Sequence, residues 1–189
     1  MNVYDFDNTI YDGESAIDFF FCYIKLNPSM IRFLPKVLFA MVKYKLGKIT
    51  IEKMMSDYAP LIKKIFCECE NREEFVSQFW DTHMHKIKSF YSDVRRDDDI
   101  LLTASPDITM NEIAKRLGIK NLVCSKIDNE TGEMTRLCMR QNKITAFFEE
   151  YGDAEIDDFY TDSMKNDGFI AEKAKHVYLV KGERIKKIR

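Results

Sequence analysis

No run of apolar residues in this chain of 189 residues approaches the roughly 18–20 that a bilayer-spanning helix needs. The longest candidates, residues 19–24 and 37–42, are each closed by charge. The N-terminus shows no basic region followed by an apolar segment; it runs directly into Asp5 and Asp7. No signal peptide is therefore expected, and the protein is predicted to be cytoplasmic. Soft metal-ligand patterns are missing as well. His83 and His85 are two apart and would face different directions on a helix, and His176 is solitary, so no histidine metal site is expected. The five cysteines, Cys22, Cys67, Cys69, Cys124 and Cys138, are odd in number and lack zinc-ribbon spacing, which predicts buried or part-buried reduced thiols. A net charge of −2 argues against a dedicated nucleic-acid binder. There is no internal repeat and no low-complexity segment.

What is present divides into two grammars. Apolar residues make up 46% of the chain, enough for one core domain with a modest insertion. A short apolar lead at residues 2–5 reads as a strand. Helical segments follow at 15–24, 29–46, 50–66 and 73–90. In the third, Ile51, Met54, Met55, Tyr58, Leu61, Ile62 and Ile65 recur close to the helical period. Asn27-Pro28 separates the first two, Gly47 ends the second, and Thr50 suits an N-cap. Helices without intervening strands predict a small bundle outside the sheet. From residue 99 strands and helices alternate: strand 100–103, helix 106–117 with Pro106 in its first turn, strand 122–125, a turn at 129–132, helix 143–151, strand 159–161, helix 168–174 and strand 177–180. Alternation of this kind predicts a parallel, right-handed, doubly wound α/β sheet, Rossmann-like. The expected division is a core of residues 1–15 and 97–189 with a helical cap at 16–96.

Asp5-Phe6-Asp7-Asn8-Thr9 is the most chemical segment. In an extended chain Asp5 and Asp7 point to the same side, and two converging carboxylates repel unless something neutralises them. A hard divalent cation with oxygen ligands does so, and a metal between carboxylates suits phosphoryl transfer. An ordinary turn after an edge strand is the plainer alternative. Asp5, Thr103 and Asp162 all fall at predicted strand C-termini, where ligands bind in doubly wound sheets.

In order and separation, Asp5-x-Asp7-x-Thr9, Leu101-Leu102-Thr103-Ala104-Ser105, Asn142-Lys143 and Tyr160-Thr161-Asp162-Ser163-Met164-Lys165-Asn166-Asp167 resemble the four motifs of the haloacid dehalogenase (HAD) superfamily. The resemblance covers residues 1–15 and 97–180 and is strongest to the helical-cap subclass that contains phosphoserine phosphatase. It implies an Mg²⁺-dependent phosphatase acting on a small phosphate monoester through an aspartyl-phosphate. Asp5 would be the nucleophile and Asp7 the general acid, then base. Thr103 would bind a phosphoryl oxygen, with N–H groups at Ala104 and around Asn8 completing an anion nest. Lys143 would be the fixed positive charge. Arg140 occupies the glycine place of the family's frequent Gly-x-x-Lys, which leaves Arg140 and Lys126 as competitors. Asp5, the Asp7 carbonyl and Asp162 would hold Mg²⁺, with Asp167 the favoured second acid and Asn166 the alternative. Glu14 matches the position at which phosphoserine phosphatases hold the substrate ammonium, although Ala104-Ser105-Pro106 stands where they carry glycines.

Charge is unevenly distributed. Between residues 19 and 51 there are six basic side chains, Lys25, Arg32, Lys36, Lys43, Lys45 and Lys48, and no acidic one. On a helical wheel Arg32, Lys36 and Lys43 fall within about 40° of one another, with Leu34, Leu38 and Met41 opposite. The stripe reads as a solvated helix face, a steering surface for anionic substrates or a dock for anionic lipid headgroups. Beside the soluble phosphatase stand two alternatives, a membrane-associated lipid-phosphate phosphatase and a catalytically idle scaffold that binds. Sequence sets neither substrate nor oligomeric state.

Overall fold

A computed structural model describes residues 1–189, apart from the side chain of Lys45. The chain opens with β1 (Val3–Tyr4) and passes through α1 (Ser15–Leu26), α2 (Leu34–Lys45), α3 (Ile51–Ile62), α4 (Arg72–His83) and α5 (Phe90–Val94). It then alternates: β2 (Ile100–Pro106), α6 (Asp107–Leu117), β3 (Asn121–Ile127), β4 (Met134–Arg136), α7 (Gln141–Tyr151), β5 (Ile156–Thr161), α8 (Met164–Ala171), β6 (Ala174–Lys181) and β7 (Arg184–Lys187). The seven strands form one sheet in the order β4-β3-β2-β1-β5-β6-β7. β1 pairs in parallel with β2 and β5, β2 with β3, and β5 with β6.

The predicted parallel, doubly wound sheet is present, and two strands not foreseen from sequence, β4 and β7, extend its edges antiparallel. Each is added by a tight turn. The Asp128 carboxylate accepts the N–H groups of Glu130 and Thr131 before β4, and Gly182 adopts a φ of 56° before β7.

Alternation along the strands sends side chains to two cores. Val3, Ile100, Leu102, Val123 and Phe159 pack with Phe147 of α7 and Ile170 of α8. Tyr4, Leu101, Cys124 and Tyr160 lie in the other core, with Met110 and Ile113 of α6, Phe19 of α1 and Trp80 of α4. Burying each of these large apolar side chains contributes about 1.5–3 kcal/mol. Trp80 is fully buried and satisfies its indole N–H on the Thr109 carbonyl at 2.9 Å, tying α4 to α6.

Several helical boundaries differ from expectation. The segment 29–46 is two pieces: a 3₁₀ stretch over Pro28–Phe33, then α2. Arg32 therefore lies outside the wheel it was expected to share with Lys36 and Lys43. Thr50 does cap α3, accepting the Lys53 N–H at 3.2 Å, and α3 runs into a π-helical turn at Lys63–Cys67. The segment 73–90 is broken because Lys88 N–H bonds the Ile10 carbonyl and Ile87 bridges Tyr11, which draws the chain out of the helix. Pro106 closes β2 and caps α6 rather than entering it. α8 begins at Met164, and α5 was not foreseen.

Candidate active site

β1 ends at Tyr4, so strand alternation is not what brings Asp5 and Asp7 together. Asp5 still pairs through its N–H with the Tyr160 carbonyl at 2.9 Å, and the chain then turns sharply. The Phe6 carbonyl accepts the N–H groups of Thr9, Ile10 and Tyr11, and Asn8 takes a left-handed φ of 59°, a conformation asparagine tolerates better than most residues. The buried Lys88 ammonium holds the outside of this turn through the Asn8 carbonyl at 2.6 Å. The turn leaves Asp5, Asp7 and Asn8 lining a cleft of about 110 Å³ with Glu14, Ala104, Met139, Lys143, Asp162, Asn166 and Asp167.

Lys143 lies at its centre and is buried. Its Nζ is 2.7 Å from Asp5 Oδ1 and 2.8 Å from Asp167 Oδ1. Burial alone would push the ammonium down, but Asp5 and Asp167 outweigh it and hold Lys143 well above the usual lysine range. For Asp5 burial wins: it raises the carboxyl to about 7 against the pull of Lys143, with Asp167 and Asp7 adding repulsion. Thr9 Oγ1 reaches Asp5 Oδ2 at 3.4 Å.

Asp7 is held by both oxygens. Oδ1 accepts the Ser15 N–H at 2.6 Å, an otherwise unpaired donor at the start of α1, and Oδ2 accepts the Ser105 hydroxyl at 2.6 Å. Burial still raises Asp7 above the ordinary carboxylate range, with Ser105 and Ser15 offsetting part of the shift. Asp162 follows β5; burial raises it too, opposed by Lys181 and reinforced by Asp167.

Of the competing cations, only Lys143 reaches Asp5. Lys126 is exposed, and Arg140 stacks its guanidinium 5.5 Å from the Tyr44 ring. Arg140 adopts a φ of 53°, which accounts physically for a glycine preference at that place. Asp167 is the buried acid, pairing with Lys143 and accepting the Thr161 hydroxyl at 2.6 Å, whereas Asn166 is half-buried on the cleft wall. Thr103 is not at a strand end, since β2 continues irregularly to Pro106. Its hydroxyl accepts the Ser105 N–H at 3.1 Å, and it is Ala104 that lines the cleft. Glu14 accepts the Asn8 side-chain amide at 2.7 Å.

Ser15, Ser105, Met139, Thr161 and Lys88 were not singled out from sequence. Ser105 had a signal, two residues beyond Thr103 at the end of a predicted strand, and so did Ser15, the first residue of a predicted helix. Lys88 had none, because it was read inside a helix.

Among the described residues, no group of three or more His, Cys, Asp or Glu side chains encloses a ready cation site. The cleft is nevertheless lined by the oxygen-bearing side chains of Asp5, Asp7, Asp162 and Asp167. Hard oxygen donors of this kind suit Mg²⁺, which keeps several waters and needs only one or two carboxylates.

A doubly wound sheet whose order reverses at β1, with a carboxylate-lined cleft beyond the central strand ends, defines a Rossmann-like α/β protein with its ligand site at the switch point. The haloacid dehalogenase-like hydrolase family matches residues 3–167, and the chain belongs to that family. No curated protein matches the sequence. Among solved structures, the chain is similar to a protein of unknown function from Bordetella pertussis Tohama I, at a TM-score of 0.68 and 14% identity, over 95% of this chain and 80% of that one. It is also similar to a phosphoserine phosphohydrolase-like protein from Francisella tularensis subsp. tularensis SCHU S4, at a TM-score of 0.61 and 15% identity, over 94% and 86% respectively. At such identities the likeness is one of fold.

Proposed function

We propose that the protein is an Mg²⁺-dependent phosphomonoesterase acting on a small organic phosphate. The observation that carries this reading is Asp5: a buried carboxylate in contact with a buried lysine, beside a second carboxylate held by Ser15 and Ser105. Family membership and the phosphoserine phosphohydrolase-like neighbour agree with it. The cleft carries Asp5, Asp7, Asp162 and Asp167 against Lys143, a surplus of negative charge that a bound divalent cation offsets so that a phosphate dianion can enter.

An Asp5 oxygen attacks phosphorus, the bond from phosphorus to the leaving oxygen breaks, and Asp7 donates its proton to that oxygen. Burial raises its pKa, the direction that favours the acid form this step needs. Asp7, now a carboxylate, takes a proton from water, which attacks phosphorus and releases Asp5 and inorganic phosphate. Lys143 holds Asp5 in place and balances charge on the phosphoryl oxygens. Asp167 and Thr161 fix Lys143 from behind, so Asp167 serves the lysine rather than the cation. The Ala104 N–H receives a phosphoryl oxygen, the Asn8 N–H being taken by the Gly13 carbonyl at 2.9 Å, and Thr103 braces that loop through Ser105. Residues 16–96 act as the cap that selects substrate, and Glu14, immediately before α1, faces the substrate. Phosphoserine is one candidate.

Hydrolysis of an aryl phosphate, with Mg²⁺ and in excess chelator, tests the proposal. Turnover that needs the metal is expected. Activity surviving chelation would sink the metal assignment, and no activity with any of a panel of phosphorylated metabolites would return the protein to an idle scaffold.

A further inference from the structure

α2 is apolar on two faces, and only one of them is covered. Leu34, Val37, Met41 and Tyr44, spaced three and four apart, are part-buried, and Ala40 is buried. Leu38, Phe39, Val42 and Leu46, also spaced for one helix face, are 51%, 60%, 52% and 64% exposed. Leu26, at the end of α1, and Ile31, in the 3₁₀ stretch before α2, are exposed to 60% each. Leu38, placed with Leu34 and Met41 on the helical wheel, belongs to the outer stripe while they are part-buried. A helix apolar all round is normally buried on both sides. Scattered exposed leucines need no explanation, but a contiguous stripe of this kind marks a contact surface.

Its flank is basic. Lys36 and Lys43 are seven residues apart and share one side of α2, about 40–60° beyond Phe39 at 100° per residue. Lys43 Nζ sits 4.4 Å over the Phe39 ring, and Arg32 in the preceding turn is exposed. The whole segment from residue 19 to 51 has six basic side chains and no acidic one, in a chain whose net charge is −2. We propose that the exposed face of α2 docks on an anionic lipid surface, with Leu38, Phe39, Val42 and Leu46 entering the headgroup boundary and Arg32, Lys36 and Lys43 meeting the lipid phosphates.

Charge selects this occupant. An apolar stripe flanked by lysine and arginine is the pattern of a helix lying in the membrane interface, where long basic side chains lie along the apolar surface and keep their charges in the headgroup layer. A second copy of the chain would meet the stripe across a two-fold interface and bring the same unopposed positive charges together. Among the described residues no helix is long and apolar enough to cross the bilayer, so the contact is one of surface docking. The docking helix also touches the rim of the cleft: the Tyr44 hydroxyl is 4.0 Å from the sulfur of Met139, which lines it.

The test is flotation of the whole protein with vesicles of phosphatidylcholine alone or mixed with phosphatidylglycerol, in the presence of chelator. Binding to the mixed vesicles and not to the neutral ones is expected. Arg32→Gln/Lys36→Gln/Lys43→Gln should lower partitioning about a hundredfold, and added salt should weaken the wild type in the same direction. Leu38→Gln/Phe39→Gln/Val42→Gln, all at exposed positions, should also abolish flotation. Asp5→Asn should float like the wild type, which keeps the result independent of the phosphatase reading. Absence of flotation, equal binding to neutral vesicles, or flotation unaffected by the apolar triple change would each overturn the proposal. So would a dimer in sedimentation that the apolar triple change disperses, which would assign the face to a second copy.

Discussion

Lys143 and its two carboxylates show how much of this site rests on single side chains. A buried ion pair contributes little net stability when intact, but removing one partner strands a charge and costs about 3–5 kcal/mol. Lys143→Ala leaves Asp5 and Asp167 facing each other without the ammonium, so the urea midpoint is expected to fall by a stability loss of that size. An unchanged midpoint would mean that the carboxylates neutralise themselves by taking up protons. Chemistry separates the other pair. Asp5→Asn is expected to abolish turnover and leave no phosphate on the protein. Asp7→Asn is expected to lose about 10²–10⁴-fold in rate and, with a good leaving group, to accumulate a phosphate on Asp5 visible by mass spectrometry. A phosphate adduct on another residue of Asp5→Asn, with turnover retained, would mean that the nucleophile is wrongly named.

At the scale of elements, the turn before β4 is pressed against the C-terminal end of α3. A Cβ on Gly132 would stand 2.5 Å from Lys63 Cβ and 2.6 Å from the Ala59 carbonyl oxygen, and the residue already has a φ of +75°. Gly47, after α2, shares a positive φ of +68° but has nothing within 4 Å of such a Cβ. Both alanine variants bear the left-handed backbone penalty of about 1–2 kcal/mol, and only Gly132→Ala adds overpacking of about 1–3 kcal/mol. Thermal melts of the two should therefore differ, with Gly132→Ala the lower. Equal melts would mean that α3 gives way without cost, and that the π-helical turn at Lys63–Cys67 is soft.

For the whole molecule, cation binding and protonation compete at one carboxylate. Burial sets Asp5 near 7 in the absence of metal. Below that pH one proton must leave for each cation that binds, so Mg²⁺ affinity should fall by about tenfold per pH unit, and above it the affinity should level off. Titration calorimetry across this range reads the effect directly, without turnover. Mg²⁺ should also raise the melting temperature by mass action, for the wild type and not for Asp162→Asn. A flat affinity on both sides of 7 would show that Asp5 is ionised throughout and that Lys143 outweighs burial.

By itself the sequence determined the alternation of strands and helices after residue 99, the four-motif order, the helical stretch before it and the choice of Asp5, Asp7, Lys143 and Asp162 as candidates. These follow from local periodicity and from residue types whose charge needs a reason. The antiparallel edges, the break at Lys88 and the extension of β2 past Thr103 depended on pairing with distant strands and loops, which no local pattern encodes. The tertiary structure also decided that Asp167 rather than Asn166 pairs with Lys143, and that Ser15 and Ser105 hold Asp7, because these partners belong to separate elements that meet only after folding. It decided the outer face of α2 as well: Leu38, Phe39, Val42 and Leu46 are indistinguishable in sequence from core residues, and only the position of the neighbouring helices left them facing solvent.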